Sequence, residues 1–356
     1  IRVLIVDDSA IIRQAFANEL RRHSGIMVVG CAPDPYQARD LIVSTQPHVI
    51  TLDIEMPRMD GLAFLRKLMK FHPVPTIIVS SVTTSGCEKA IACLQSGAVE
   101  VVSKPDGFRG MAAFGNKLVR LIRAAAAADP TAPKRIAPPP MATSAVTPPP
   151  PAVSMAAPQV AHDRPPDRQS LQHRLIAIGS STGGTEALRV VLTGLPTDMP
   201  GIVITQHMPA GFTASFAERL DSLSRITVRE ARNGEPIRPG HAYLAPGDEH
   251  LRVIRTPGGY ITRVSGGPAV LRHRPSVEVL FESVAMAARG NALGVILTGM
   301  GGDGAGGLKS MRDAGAFTIA QDEKTSIVFG MPREAIQLGA ACAVLPLDQI
   351  PQHLVR

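Results

Sequence analysis

The chain of 356 residues is long enough for about two domains at roughly 100–200 residues each, and 45% hydrophobic against 19% charged residues suits soluble domains with sizeable cores. With no tryptophan and only 4% aromatics, it lacks the stacking platform of a nucleic-acid binder. The net charge of +7 is spread as +3 over residues 1–122, +2 over 123–173 and +2 over 174–356, a solvated surface and not the clustered basic face that nucleic acid requires.

The four cysteines, Cys31, Cys87, Cys93 and Cys342, form no CxxC pair and no Cys/His ligand spacing. No signal peptide and no apolar run of about 18 residues is visible, so the expectation is a cytoplasmic protein without membrane insertion. A monomer is expected, and Ile1 opens directly into a strand, as though an initiator methionine were missing from the numbering.

In the first half, "RVLIV", "IMVVG", "HVITL", "TIIVS" and "VEVV" read as strands, each followed by an amphipathic stretch. Five β/α units of this kind predict a five-stranded parallel, flavodoxin-like sheet over residues 1–122, covered on both faces. Open α/β sheets bind ligands beyond the carboxyl ends of their strands. Asp7 and Asp8 follow the first strand, Asp53 ends the third, Ser80 ends the fourth and Lys104 follows the fifth. Converging carboxylates repel one another unless a divalent cation sits among them, and Mg²⁺ favours one or two carboxylates with waters and phosphate oxygens. Each position alone could be an ordinary turn residue; five on one rim favour function.

"VDDS", "DIEMPRMDG" (Asp53 to Gly61), Ser80 and "KP" (Lys104–Pro105) resemble the response-regulator receiver. The resemblance implies that Asp53 takes a phosphoryl group from a histidine kinase, with Mg²⁺ held by Asp7, Asp8 and Asp53 and with Ser80 and Lys104 in support. Val101 stands where receivers often carry an aromatic switch residue, so the aromatic version of the switch is not expected here.

Residues 123–173 hold 12 of the 31 prolines and few branched apolar residues. Such a segment cannot bury enough surface to offset its ordering entropy and reads as a semi-extended linker. Beyond it, over 174–356, "LIAIG", "GIVITQ", "GVILTG" and "AFTIAQ" are again short apolar strands. They predict a doubly wound, mostly parallel α/β domain, with "HAYLAPGDEHLRVIRTPGGYITRV" as a β-hairpin extension.

"GSSTG" (Gly179 to Gly183) fits G-x-S-x-G with Ser181 at its centre, the register of a nucleophile on a sharp strand-to-helix turn. A phosphate-cradling glycine turn fits the pentapeptide about equally well. A serine hydroxyl needs a base, and the base needs an orienting carboxylate. Of His207, His241, His250, His273 and His353, only His207 lies just past a core strand, in "IVITQHMP". Asp303, in the loop of "VILTGMGGDGAGG", is the candidate acid, with Asp322 after "FTIAQ" as its rival. The order Ser…His…Asp differs from α/β-hydrolases, where the acid precedes the histidine.

Receiver, linker, "IGSSTGGTEAL", "QHMP", "YLAPGDEHL", "HRPSVEVLF" and "LTGMGGDGAGG" together resemble the CheB family of chemotaxis protein-glutamate methylesterases. The resemblance implies Ser181 as nucleophile, His207 as base, Asp303 as orienter and Met300 as the oxyanion-loop residue acting through its backbone N–H. Glu278 stands where the family carries Asp, a mild change on a helix. The implied substrates are glutamate γ-methyl esters of methyl-accepting chemoreceptors, with glutamine deamidation as a second activity and no cofactor for the esterase. The receiver is expected to inhibit the esterase until Asp53 is phosphorylated. The alternative is a response regulator with a non-catalytic, protein-binding output; a DNA-binding output would need clustered basic residues, which the 18 basic and 16 acidic side chains of residues 174–356 do not show.

Overall fold

Apolar runs of four to six residues become strands wherever a helical stretch can cover them. The computed structural model describes residues 1–56, 60–81, 83–105, 110–127 and 171–355. In the first half the five expected strands are β1 (Arg2–Val6), β2 (Met27–Ala32), β3 (Val49–Asp53), β4 (Thr76–Ser80) and β5 (Glu100–Ser103). They alternate with α1 (Ala10–Leu20), α2 (Pro35–Thr45), α3 (Gly61–Phe71), α4 (Thr84–Gln95) and α5 (Met111–Ala127). The sheet order is β2-β1-β3-β4-β5, parallel at every pairing. Every residue of β3 and β4 is buried, as central strands covered on both faces must be. Ser9, Asp34 and Asp60 cap the first three helices by accepting from backbone N–H groups of the first turn.

Helix α5 runs through Ala127, five residues into the stretch read as linker, because "RAAAA" is strong helix-forming sequence. Most of the proline-rich segment, residues 128–170, lies outside the described residues.

The second half contains β6 (Leu175–Ser180), β7 (Gly201–Gln206), β8 (Thr227–Glu230), β9 (Pro236–Ile237), β10 (His241–Leu244), β11 (His250–Thr256), β12 (Gly259–Ser265), β13 (Ala292–Ile296), β14 (Phe317–Gln321) and β15 (Ala343–Leu345). Its helices are α6 (Gly184–Thr193), α7 (Phe212–Leu223), α8 (Val277–Ala288), α9 (Ala305–Asp313), α10 (Met331–Gln337) and α11 (Ile350–Val355). Seven strands form one wholly parallel sheet in the order β15-β14-β13-β6-β7-β10-β8. The segment read as a hairpin extension divides. "HAYL" is almost entirely buried and joins the parallel sheet as β10, whereas β11 and β12 form the antiparallel hairpin, edged by β9. From β6 the chain winds outward to β7, then returns to the opposite side of β6 as β13. The rim between those strands is a topological switch point, the crevice where such sheets bind ligands. Among the described residues no helix is long and apolar enough to cross a membrane.

Candidate active site

Two rims carry the candidate residues. On the first, carboxylate oxygens of Asp7, Asp8 and Asp53 lie within 4.8 Å of one another. Lys104 Nζ bridges Asp53 Oδ2 at 2.8 Å and Asp7 Oδ2 at 2.9 Å. Burial raises the pKa of Asp53 above the ordinary carboxylate value, Lys104 offsets this only in part, and the nearby Asp7 charge adds to it. The all-oxygen donor set, with Asp8 exposed and able to share a cation with water, fits a hard divalent ion. Ser80 makes no hydrogen bond to this cluster among the described residues; its hydroxyl donates to the Ser81 carbonyl at 3.2 Å.

On the second rim, three strand ends converge. Ser180 is the last residue of β6, fully buried, and its hydroxyl donates to Gln206 Oε1 at 2.6 Å. Ser181 follows on the turn, its N–H donating to the Thr298 carbonyl at 3.0 Å and its carbonyl accepting from Gln206 Nε2 at 2.9 Å. The Ser181 hydroxyl makes no hydrogen bond to any described residue. Gly183, at φ +77°, lets the chain turn into α6 in a conformation that L side chains rarely adopt. Gly299 is a steric requirement, since a Cβ there would lie 2.7 Å from the Ser181 Cβ.

His207 follows β7, and its Nε2 lies 2.7 Å from Asp303 Oδ2. The other ring nitrogen, Nδ1, is buried without a partner. Asp303 sits in the loop after β13 and is held by the start of α8. Its Oδ1 accepts from Ser276 Oγ at 2.7 Å and Glu278 N–H at 3.1 Å, and its Oδ2 accepts from Val277 N–H at 2.7 Å as well as from His207. Burial would raise this carboxyl, but the His207 contact, Ser276 and the α8 N–H groups outweigh it and hold Asp303 below the ordinary carboxylate range. The positive end of the helix dipole acts in the same direction. Glu278 does more than occupy a helix position: its Oε2 accepts from Gly304 N–H at 3.0 Å and pins the Asp303 loop.

The rival acid is elsewhere. Asp322 caps a turn after β14, accepting from Thr325 N–H at 3.0 Å. His241 bonds the Pro239 carbonyl, and His353 the Gln349 carbonyl just before the last helix. Met300 lines the same cleft as Ser181 and His207, and its N–H has no partner among the described residues. Sequence reasoning missed Gln206, which ties both serines to the His207 backbone, and Ser276, whose N-cap position before "VEVLF" was a readable signal. It also missed His273, whose ring stacks on His207 with centroids 3.7 Å apart and planes 6° from parallel; no local pattern announces that contact.

The cleft over these residues has a volume of about 770 Å³, and its opposite wall comes from the first half: Glu100, Lys117 and Arg120. Glu100 is buried beside Thr182, the residue after Ser181. Burial pushes its carboxyl up to about 7, against the Val101 N–H, the Lys117 charge and Thr182.

Residues 176–354 match the family described as CheB methylesterase, and residues 3–113 match the response regulator receiver domain. The chain is 49% identical over 357 residues to an Escherichia coli protein called protein-glutamate methylesterase/protein-glutamine glutaminase, covering 100% of this chain and 96% of that one. It is 50% identical over 360 residues to a protein of the same name from Chromohalobacter salexigens, with the same two coverages. Among solved structures, the CheB methylesterase catalytic domain of Thermotoga maritima superposes with a TM-score of 0.50 at 42% identity, covering 51% of this chain and 97% of that one.

Proposed function

Since this chain belongs to the CheB methylesterase family and carries a receiver domain at its N-terminal end, we propose that it hydrolyses glutamate γ-methyl esters on chemoreceptors through Ser181, His207 and Asp303. The observation that carries this reading is the state of the His207 ring: Nε2 is committed to Asp303 and Nδ1 is free. With the proton on Nε2, donated to Asp303, Nδ1 is the lone-pair nitrogen that accepts the Ser181 proton. This is the reverse of the nitrogen assignment in the serine-protease triad, with the same division of labour.

Ser181 Oγ attacks the ester carbonyl as its proton passes to His207 Nδ1. The oxyanion forms where the Met300 N–H can donate to it. Collapse expels methanol, protonated by His207, and leaves an acyl-enzyme. Water, deprotonated by the same nitrogen, then releases the receptor carboxylate and restores the serine. A glutamine amide passes through an equivalent intermediate with ammonia leaving, so the same residues serve deamidation.

Regulation follows from the receiver wall of the cleft. A histidine kinase phosphorylates Asp53; Asp7, Asp8 and Asp53 would hold a Mg²⁺ ion, which would supply charge neutralisation for the phosphoryl group. Lys104 and Ser80 contact the phosphoryl oxygens. In the unphosphorylated arrangement the β5–α5 face of the receiver covers the cleft and restricts access to Ser181. The segment 123–173 serves as the tether, and the enzyme acts in the cytoplasm. Methanol release from methylated receptor membranes tests the reading: Ser181→Ala and His207→Gln should both abolish it, and a His207→Gln protein that retains turnover would remove the proposed base.

A further inference from the structure

The loop that brings His273 to the site is strained. Val270 and His273 exchange both backbone hydrogen bonds, at 3.0 and 2.9 Å, across a two-residue turn. Its two central residues, Leu271 and Arg272, sit at φ 49° and 71°, the left-handed region that turns of this kind demand and that glycine or asparagine normally fills. Neither side chain offsets the strain by burial, since both are exposed. The loop ends are fixed instead. His250 Nε2 donates to the Pro268 carbonyl at 3.0 Å, and its Nδ1 accepts from Ser276 N–H at 3.3 Å. Strain held in place by its surroundings and lying against a reactive group calls for a functional account.

That account lies in what the turn delivers. The Asp303 contact fixes His207 at one nitrogen, but a ring held at one point can still swing about that bond. The parallel ring of His273 blocks the swing on one face. We propose that His273 is a positioning residue, a flat uncharged plate that keeps Nδ1 of His207 directed at Ser181 while Nε2 stays on Asp303. The inference rests on the reading of His207 as the base. Burial, with the charges of His207, Arg120 and Lys117, pushes the His273 ring down to about 4, and Asp303 opposes this only in part; Arg272 and Arg274 flank it on its own loop. At neutral pH His273 is therefore neutral, and its π face can stack on the imidazolium that forms at His207 during attack.

The test uses the full chain, activated by a small-molecule phosphodonor and assayed on methylated receptor membranes. His273→Ala should lower kcat by about 30-fold with KM little changed, because misplacement of a reacting group by about 1 Å costs up to roughly 10²-fold. His273→Phe keeps a flat neutral plate and should recover at least tenfold of that loss. His273→Lys places a cation over the base and should move the acid limb of the kcat/KM profile to lower pH, a shift that a packing defect would not produce. Thermal melting of each variant identifies any that fail to fold, and His273→Phe, which keeps the ring volume, then carries the comparison should the alanine variant not fold. Equal rates for the Ala and Phe variants, whether normal or depressed, would overturn the plate. A His207→Gln enzyme that still turns over would instead overturn the underlying reading, whereas loss in His207→Gln alongside a normal His273→Ala enzyme refutes only this inference.

Discussion

Replacing Asp303 by asparagine is the sharpest probe of the site, because every hydrogen bond to this carboxylate comes from a donor. Oδ1 receives Ser276 Oγ–H and Glu278 N–H; Oδ2 receives Val277 N–H and His207 Nε2–H. An amide must turn its NH₂ toward one of these pairs. Directed at Oδ2's partners, it opposes Val277 N–H and forces His207 to accept at Nε2, which moves the ring proton to Nδ1 and removes the base. Directed at Oδ1's partners, it preserves the tautomer, but only the Ser276 hydroxyl can rotate to accept, and Glu278 N–H is left buried and unpaired at about 1–3 kcal/mol. Either orientation also removes the charge that stabilises the imidazolium. The comparable change in a serine protease costs about 10⁴ in kcat, roughly 5.5 kcal/mol of transition-state stabilisation. The assay is single-turnover methanol release by the phosphodonor-activated chain, with Asp322→Asn as the matched control. A loss under tenfold in folded Asp303→Asn, or equal losses in the two variants, would refute the assignment of the acid.

Ser181→Ala should lower turnover by about 10⁶, whereas Ser180→Ala should keep most activity but melt earlier, since Gln206 Oε1 loses its buried donor at about 1–3 kcal/mol; differential scanning calorimetry and initial rates separate the two. Asp53→Ala should abolish stimulation by a phosphodonor while leaving basal hydrolysis intact, and residues 171–356 alone should exceed the basal rate of the unphosphorylated full chain; a fragment no faster than the full chain would sink inhibition by the receiver. Between about 4.5 and about 7 the folded chain holds a proton on Glu100 that the unfolded chain has released, so this group's contribution falls as pH rises through that window. Glu100→Gln should flatten the corresponding part of the melting temperature against pH, and an unchanged slope would refute the raised carboxyl.

The fold was legible because parallel strands covered on both faces must be short unbroken apolar runs, and "HVITL", "TIIVS" and "GIVITQ" are such runs. Short edge strands such as β8, β9 and β15 carry no such signal, and "HAYL" reads as hairpin until its burial beside β7 is known. At the site, Ser181, His207 and Asp303 stood out because strand ends and glycine loops mark a rim. Their supports did not. Gln206 is the last residue of β7, where a polar side chain reads as an ordinary strand end, and Ser276 and His273 reach the rim through a loop whose path depends on two residues in a conformation that their types disfavour. Long-range placement of this kind leaves no periodicity to read.

The clamp at Gln206 also limits how this rim can vary in evolution. One side-chain oxygen accepts from Ser180, and one side-chain nitrogen donates to the carbonyls of Ser181 and His207. Glutamate would set a second acceptor against two carbonyl oxygens, and asparagine is a methylene too short to span them. Leucine or methionine would fill the volume but strand a buried hydroxyl and two carbonyls. Glutamine combines the reach with both polarities, so an apolar or shorter side chain here strands buried groups on two separate elements, and a change at Ser180 alone would still leave the two carbonyls without a donor.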